Sequence, residues 1–447
     1  MTHININAAK KIGKIKPMHG VGQPPLYGTD TDMFHYLTEA NIPYSRLHDV
    51  GGRFGCNMFV DIPNVFRDFS ADENDPDSYD FVFTDIIISA LVKAGCEPIY
   101  RLGVTIENFH VIKAYRIFPP SDMAKWARIC EHIVRHYNEG WANGFEYNIK
   151  YWEIWNEPDG HRDIAENAMW KGTKEEYFEL YRVTSKHLRK CFGSSIKIGG
   201  YASCGFYVAR DLQDVTGAAF GTKKVLTDWE ERITYFAEFF DEFIDIVKKE
   251  ALPFDFFSHH SYADVKANLK MQAYCEQHLK KAGFENIEIH LNEWNTNPYI
   301  KDRGTELACA NAVANMCAMH STKMTAMCYY DAQVSASVYG GLFNPITREP
   351  FCAYYGFKAF GKLYALGTQV ECTCDNPDVY TLAATNGSTT AVLLSNLGED
   401  TSVELNLADD YTAYLIDQNN IFTAIGMHQN CLELKQNKVI YIETNHK

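Results

Sequence analysis

Apolar and polar positions follow two alternating rhythms through about residue 365. Short runs rich in β-branched and aromatic residues suit pleated, half-buried strands. They span Ile42 to His48, Glu97 to Gly103, the first half of Tyr151 to Gly160, Ile196 to Tyr201, Pro253 to His260, Asn286 to Trp294 and Met324 to Asp331. Met18 to Gly22 supplies an eighth. Between them lie longer amphipathic runs with helix start and stop signals. Residues 121–140 open with Ser121 as N-cap and close at Gly140. Residues 173–193 open with Thr173 and carry Glu176 three positions later, the pattern of a capping box. Tyr177, Leu180, Tyr181, Thr184 and Leu188 fall on one face of that helix. The runs at 229–251 and 304–321 read the same way. Eight strand–helix alternations predict a closed parallel (β/α)8 barrel, an α/β fold. An open doubly wound sheet competes, but no Gly-x-Gly-x-x-Gly follows a first strand.

The rhythm changes after Gly367. Two apolar runs flank Asn386-Gly387, a hairpin signal, and three more short strands follow. This tail of 366–447 predicts a smaller antiparallel β-sandwich domain. His3 to Asn7 alternates polar and apolar residues and is expected to add a strand to that sheet. The expected division is therefore a catalytic barrel over 15–365 and an accessory domain built from 1–14 and 366–447.

Composition narrows the function. The 447 residues are 46% hydrophobic and 22% charged, with a net charge of −15. An acidic chain without charge runs argues against nucleic acid or an anionic membrane as partner and fits a neutral substrate. No window approaches the roughly 18 apolar residues of a membrane span, and the first residues lack the apolar core of a signal peptide. The expected compartment is the cytoplasm. The 13 cysteines are irregularly spaced with no C-x-x-C pair, and read as small buried hydrophobes in a reducing compartment.

The chemistry collects at strand ends. In a parallel barrel the working end is the C-terminal edge of the strands. The fourth strand runs into Trp155, Asn156, Glu157 and Pro158; the proline turns Glu157 away from helical geometry. The seventh ends in Asn292, Glu293, Trp294 and Asn295. Two facing carboxyls are the minimal equipment for glycoside hydrolysis, one to protonate the leaving oxygen and one to attack the anomeric carbon or activate water. Glu153 shares a strand face with Glu157 but lies deeper, and reads as structural. Arg101 and Asp331 end the third and eighth strands. His259 reads as a core histidine, and the acidic stretch from Val60 to Phe81 as an insertion that is solvated, walls the pocket or meets another subunit.

The sequences "WNEP" and "NEWN" at these two strand ends resemble clan A of the retaining glycoside hydrolases. Together with "MWKGTKEEYFELY", "KIGGYAS" and "FDFFSHHSY" they are most similar to glycoside hydrolase family 39, the β-xylosidase group. That resemblance implies Glu157 as acid/base and Glu293 as nucleophile. It implies substrate contacts from Asn156, Arg46, His48, His260 and Tyr262, with Arg46 and Tyr262 also near the nucleophile. Trp294 and Trp170 are placed either to stack on sugar faces or to pack against a neighbouring loop. Asp331 departs from the aromatic and acidic pattern more usual there. The implied activity is a retaining exo-glycosidase on short oligosaccharides, β-xylosides first and α-L-arabinofuranosides next, with no metal or organic cofactor. Relatives suggest self-association as a homo-oligomer. The rivals are a carbohydrate-binding barrel without turnover, which should have lost one glutamate, and a metal-dependent barrel hydrolase, which would want more histidines than His19 after the first strand.

Overall fold

The computed structural model describes residues 1–28, 31–50, 60–105, 117–209, 223–296, 300–334, 339, 341–407, 410–425 and 431–444. An N-terminal strand β1 (Thr2–Lys14) precedes the barrel. The barrel strands are β2 (Gly20–Gly22), β3 (Tyr44–Leu47), β4 (Glu97–Leu102), β5 (Tyr151–Ile154), β6 (Lys197–Ser203), β7 (Phe256–Ser261), β8 (Glu288–Trp294) and β9 (Ala326–Tyr329). They pair in parallel in chain order, and β9 closes on β2 through Cys328–Gly20 and Tyr329–Val21. The eight strand-like runs of the sequence are these eight strands, so the closed barrel, not the open sheet, is the architecture.

One main helix follows each strand: α1 (His35–Glu39), α2 (Val82–Lys93), α3 (Met123–Asn138), α4 (Lys174–Phe192), α5 (Lys223–Glu250), α6 (Val265–Ala282), α7 (Glu306–His320) and α8 (Cys352–Leu366). The capping box of α4 forms as read: the Glu176 N–H donates to Thr173 Oγ1 at 3.2 Å, and the Thr173 N–H donates to Glu176 Oε2 at 2.7 Å. Ser121 does not cap α3. Asp122 does, accepting from the Lys125 N–H at 2.8 Å; it stands one residue nearer the first turn and brings an anion to the positive end of the helix. The Val60 to Phe81 stretch packs along α3. Phe81 stacks on His136 with ring centroids 3.6 Å apart, and Glu73 takes Lys125 at 3.3 Å and Arg128 at 2.7 Å.

The inward faces of the strands fill the barrel in layers. Tyr44, Ile99, Tyr151, Phe256 and Cys328 form an apolar floor. Arg46, Arg101, Glu153, Ser258 and Asn292 form a buried polar layer above it. Strict alternation would send Glu293 outward, in phase with Ile289 and Leu291. The register of β8 against β7 shifts between Leu291 and Glu293, and a bulge there lets Asn292 and Glu293 both contact inward groups.

Among the described residues, the second sheet holds nine strands in the order β15-β14-β17-β12-β11-β10-β1-β13-β16, using β10 (Thr368–Cys374), β11 (Val379–Thr385), β12 (Thr390–Asn396), β13 (Thr401–Asn406), β14 (Tyr411–Ile416), β15 (Thr423–Ile425), β16 (Cys431–Leu434) and β17 (Val439–Thr444). It is antiparallel except where β1 lies parallel to β13. Its central strands are buried on both faces, which explains their unbroken apolar runs. Val392, Leu394, Ile440 and Ile442 enter the sandwich core. Leu393, Val439 and Tyr441 join the barrel's core cluster, where Ser395 donates to the Ala310 carbonyl of α7 at 2.7 Å.

Because the cap of α4 satisfies helix-end donors on both sides, Thr173→Ala should destabilise the protein by about 1 kcal/mol. Thermal unfolding would register this as a lower Tm; an unchanged Tm would mean the box contributes nothing.

Candidate active site

The polar layer of the barrel is organised by Arg46, which is 1% exposed. Its Nε donates to Glu153 Oε2 at 2.8 Å, Nη2 to Asn156 Oδ1 at 2.5 Å, and Nη1 to Glu293 Oε2 at 3.1 Å. One guanidinium thus ties β3 to β5 and β8. Glu153 is fully buried and also accepts from Ser258 at 2.5 Å and from the Asn292 amide. The sequence placed Glu153 deeper than Glu157 and structural; its carboxylate anchors the guanidinium that faces Glu293.

The strand end above it leaves ordinary geometry twice. Trp155 has φ 75° and Glu157 φ 47°, the left-handed region that non-glycine residues seldom adopt and that clusters at functional sites. Pro158 does remove Glu157 from helical geometry, into this region rather than the extended one. The Glu157 N–H is held by the Ala202 carbonyl at 3.0 Å.

Carboxylate oxygens of Glu157 and Glu293 and a ring nitrogen of His260 lie within 4.8 Å of one another. His260 is fully buried; its Nδ1 stands 2.7 Å from Glu157 Oε1 and its Nε2 3.4 Å from Glu293 Oε2. Tyr262 donates its hydroxyl to Glu293 Oε1. Burial pushes the His260 pKa down to about 4, so the imidazole is neutral at pH 7 and carries one N–H. One assignment satisfies both neighbours: a protonated Glu157 donates to Nδ1, and Nε2–H faces a Glu293 carboxylate.

Both glutamates have raised pKa values, with burial as the largest cause. Arg46, His260 and Tyr262 pull Glu293 down, but burial and the nearby Glu157 outweigh them. Two carboxyls this close do not both ionise readily. Arg46, Arg232 and Cys204 also pull on Glu157, but Glu293 accepts directly from Arg46 and Tyr262, which favours the negative charge on Glu293. A quarter of the Glu157 side chain is exposed, against 9% for Glu293, which places Glu157 nearer the solvent.

The other sequence-predicted residues divide. Asn156 sits beside both glutamates, with its Oδ1 held by Arg46. His48 is buried as a bridge: Arg101 Nε reaches its Nδ1 at 3.2 Å, and its Nε2 lies 3.3 Å from Asp49. Arg101 itself is held by Asp61 at 2.6 Å. Trp294 does not face a sugar. It is fully buried on the outer side of the barrel, stacked at 13° on Phe357 of α8, because the bulge that turns Glu293 inward turns the next residue out. Trp170 is likewise packed, edge-on to Trp155, with Nε1 donating to the Thr173 carbonyl. Trp155 points away as well, donating to the Met169 carbonyl, so the apolar surroundings of Glu157 do not come from it. His259 is a core histidine, 1% exposed and in ring contact with Phe206.

Several supporting residues escaped the sequence reading. Gln23 donates to the Tyr330 hydroxyl at 2.5 Å, which donates to Asp49 at 2.8 Å. Tyr207 accepts from the Tyr262 N–H at 2.8 Å. Asp159, two residues past Glu157, is buried and accepts from Ser203 at 2.7 Å; burial pushes its pKa up to about 7. Only Asp159 had a signal, its place in "NEPD".

The model of Glycosyl hydrolases family 39 matches residues 3–330. A β-xylosidase of Caldicellulosiruptor saccharolyticus is 23% identical over 402 residues, 83% of this chain and 72% of that protein. A β-xylosidase of Geobacillus stearothermophilus is 23% identical over 277 residues, 56% of this chain and 47% of that protein. Among solved structures, a glucosidase from Croceicoccus marinus matches with TM-score 0.77 at 19% identity over 100% of both chains. A family 39 β-xylosidase from Caulobacter crescentus matches with TM-score 0.69 at 17% identity, covering 99% of this chain and 100% of that one. These structural likenesses establish a shared fold.

Asp331 generates a pH prediction. It is 1% exposed, neither carboxyl oxygen makes a well-formed hydrogen bond, and burial pushes its pKa from 3.8 up to about 8. Between those values the folded protein holds a proton that the unfolded chain has lost, so stability falls as pH rises. Asp331→Asn removes that penalty. Its Tm advantage over wild type should grow from pH 4 to pH 8 and then level off. An advantage independent of pH in that window would mean Asp331 is ionised in the folded protein.

Proposed function

The chain belongs to glycosyl hydrolases family 39 and is a glycoside hydrolase, and we propose that it releases terminal β-xylosyl residues from short oligosaccharides with retention of configuration. The observation that carries this reading is the pair of carboxyls within 4.8 Å across one mouth. Such closeness suits a double displacement through a glycosyl-enzyme, whose carboxyls stand about 5–5.5 Å apart, and leaves no room for the water of an inverting enzyme. Both curated relatives described above are β-xylosidases, which puts xylose ahead of other sugars.

The roles follow from the hydrogen bonds. Glu157, protonated and more exposed, gives its proton to the glycosidic oxygen as that bond breaks. Glu293 attacks the anomeric carbon and forms an ester. Arg46 and Tyr262, one on each Glu293 oxygen, hold the carboxylate in place for attack. Once Glu293 is an ester its charge is gone, the repulsion on Glu157 falls, and Glu157 carboxylate can take a proton from water. That water breaks the ester and restores both acids. Asn156 has its carbonyl oxygen fixed by Arg46, which leaves its NH2 to donate to a sugar hydroxyl. His260 holds Glu157 through Nδ1. His48 acts behind Asp49 rather than through a free ring nitrogen. The twelve cysteines among the described residues are all free thiols, and no helix of the described residues is long and apolar enough to cross a membrane; a reducing, cytoplasmic setting and small imported substrates agree with the thiols.

Glu157→Ala should lower kcat/KM for substrates with poor leaving groups by roughly 10²–10⁴-fold. With activated nitrophenyl xylosides, azide should restore turnover and yield the glycosyl azide; absence of rescue would remove Glu157 as acid/base. Glu293→Ala should abolish turnover of every substrate, and appreciable residual rate would exclude it as nucleophile. NMR of the first-formed anomer should report retention. A nitrophenyl panel should rank xyloside above glucoside and arabinofuranoside, the competitors suggested by the Croceicoccus marinus glucosidase and by clan relatives. EDTA should leave the rate unchanged; a clear loss would reopen metal-assisted hydrolysis.

A further inference from the structure

On the far side of β5 from the barrel mouth, α3 and α4 bring three ligand-type side chains together. His187 and Cys191 stand one turn apart on α4, with Cys191 Sγ 3.7 Å from His187 Nε2. Glu131 of α3 approaches the same nitrogen, with Oε2 at 2.6 Å. One donor atom from each lies within 4.8 Å of the other two. All three are partly exposed at the groove between the helices. We propose that Glu131, His187 and Cys191 form a binding site for a divalent metal of the zinc class, separate from the catalytic mouth.

The donor set suits such an ion. A borderline-soft cation accepts thiolate, imidazole and carboxylate together, in tetrahedral geometry completed by water. With bonds of about 2.3 Å to sulfur and about 2.0–2.1 Å to nitrogen, a tetrahedral edge between the two is about 3.6 Å, which the sulfur–nitrogen pair already matches. The Nε2–Oε2 contact must open by under roughly 1 Å to reach its own edge, a movement within reach of a partly exposed glutamate. Glu131 presents Oε2 because Arg135 holds Oε1 at 2.8 Å, and Arg135 is shared with Glu139. Carboxylate and thiolate together neutralise the ion, while Arg135 keeps its own partner. Without metal, burial and the Glu131 charge push the Cys191 thiol up, so it is protonated. Binding replaces that proton, which passes to solvent. An ion here would link the helix before β5 to the helix after it, on either side of the strand that carries Asn156 and Glu157.

Cobalt provides the test. Titration of the reduced protein with Co²⁺ should develop a near-ultraviolet thiolate-to-cobalt absorption that saturates at one ion per chain and is bleached by Zn²⁺. Cys191→Ser should lack the band, and Glu131→Gln should weaken cobalt binding by about tenfold or more. Zn²⁺ should raise the Tm of wild type but not of Cys191→Ser, and xyloside turnover should be the same in both proteins. Cys204 lies beside Glu157, so a band that survives in Cys191→Ser would report that thiol and not the site between the helices. No band in wild type, or a band of equal strength in Cys191→Ser, overturns the site.

Discussion

The barrel interior turns on the guanidinium of Arg46. A buried cation is tolerable only when its charge and its donors are met. Here they are met by side chains from two other strands, Glu153 and Asn156 around β5 and Glu293 on β8. Taking the guanidinium away would leave Glu153 buried without a countercharge, the kind of break that costs about 3–5 kcal/mol. The same contact that settles the interior also fixes the orientation of the proposed nucleophile. Stability of the polar layer and geometry of the mouth are therefore one constraint.

That constraint explains the irregular strand ends. A regular strand would present every second residue inward, giving Glu153 and not both Asn156 and Glu157. The left-handed backbone at Trp155 and Glu157 and the register shift near Asn292 break the alternation at the top of β5 and β8. Each departure costs of order 1–3 kcal/mol where a non-glycine residue is forced left-handed. The hydrogen bonds to Arg46, His260 and Ala202 at these positions hold the chain in place.

Much of this was legible from the chain, and the failures are physical. Eight alternations identified the barrel because each strand needed one apolar face for a helix and each helix one apolar face for the sheet. Glu157 and Glu293 were visible because a strand that ends in an acid has no packing reason to do so. Trp294 was misread because sequence adjacency to Glu293 says nothing about a bulge; one extra residue sends neighbours to opposite sides. Ser121 and Asp122 are both good caps, and only the first turn's position chose between them. Gln23, Asp49, Asp61 and Tyr207 were invisible because their meaning lies in partners far along the chain: Asp61, at the start of an apparent insertion, is the counterion of Arg101.

The charge count of the mouth closes the argument. Glu153 accepts from Arg46, Ser258 and Asn292; Glu293 accepts from Arg46 and Tyr262, with His260 beside it. Arg46 is the cation that touches both, Arg232 also acts on Glu157, and burial lowers the His260 pKa. Burial raises the Glu157 pKa against the pull of Arg46 and Arg232, and its charge would stand beside Glu293 in a site with little water to screen it. Both effects favour the protonated form of Glu157 in the resting protein. In the proposed reaction, esterification of Glu293 would remove one charge from the cluster, and ionising Glu157 would restore it. The two proposed half-reactions require opposite protonation of the same side chain, and the change of charge on Glu293 would supply both.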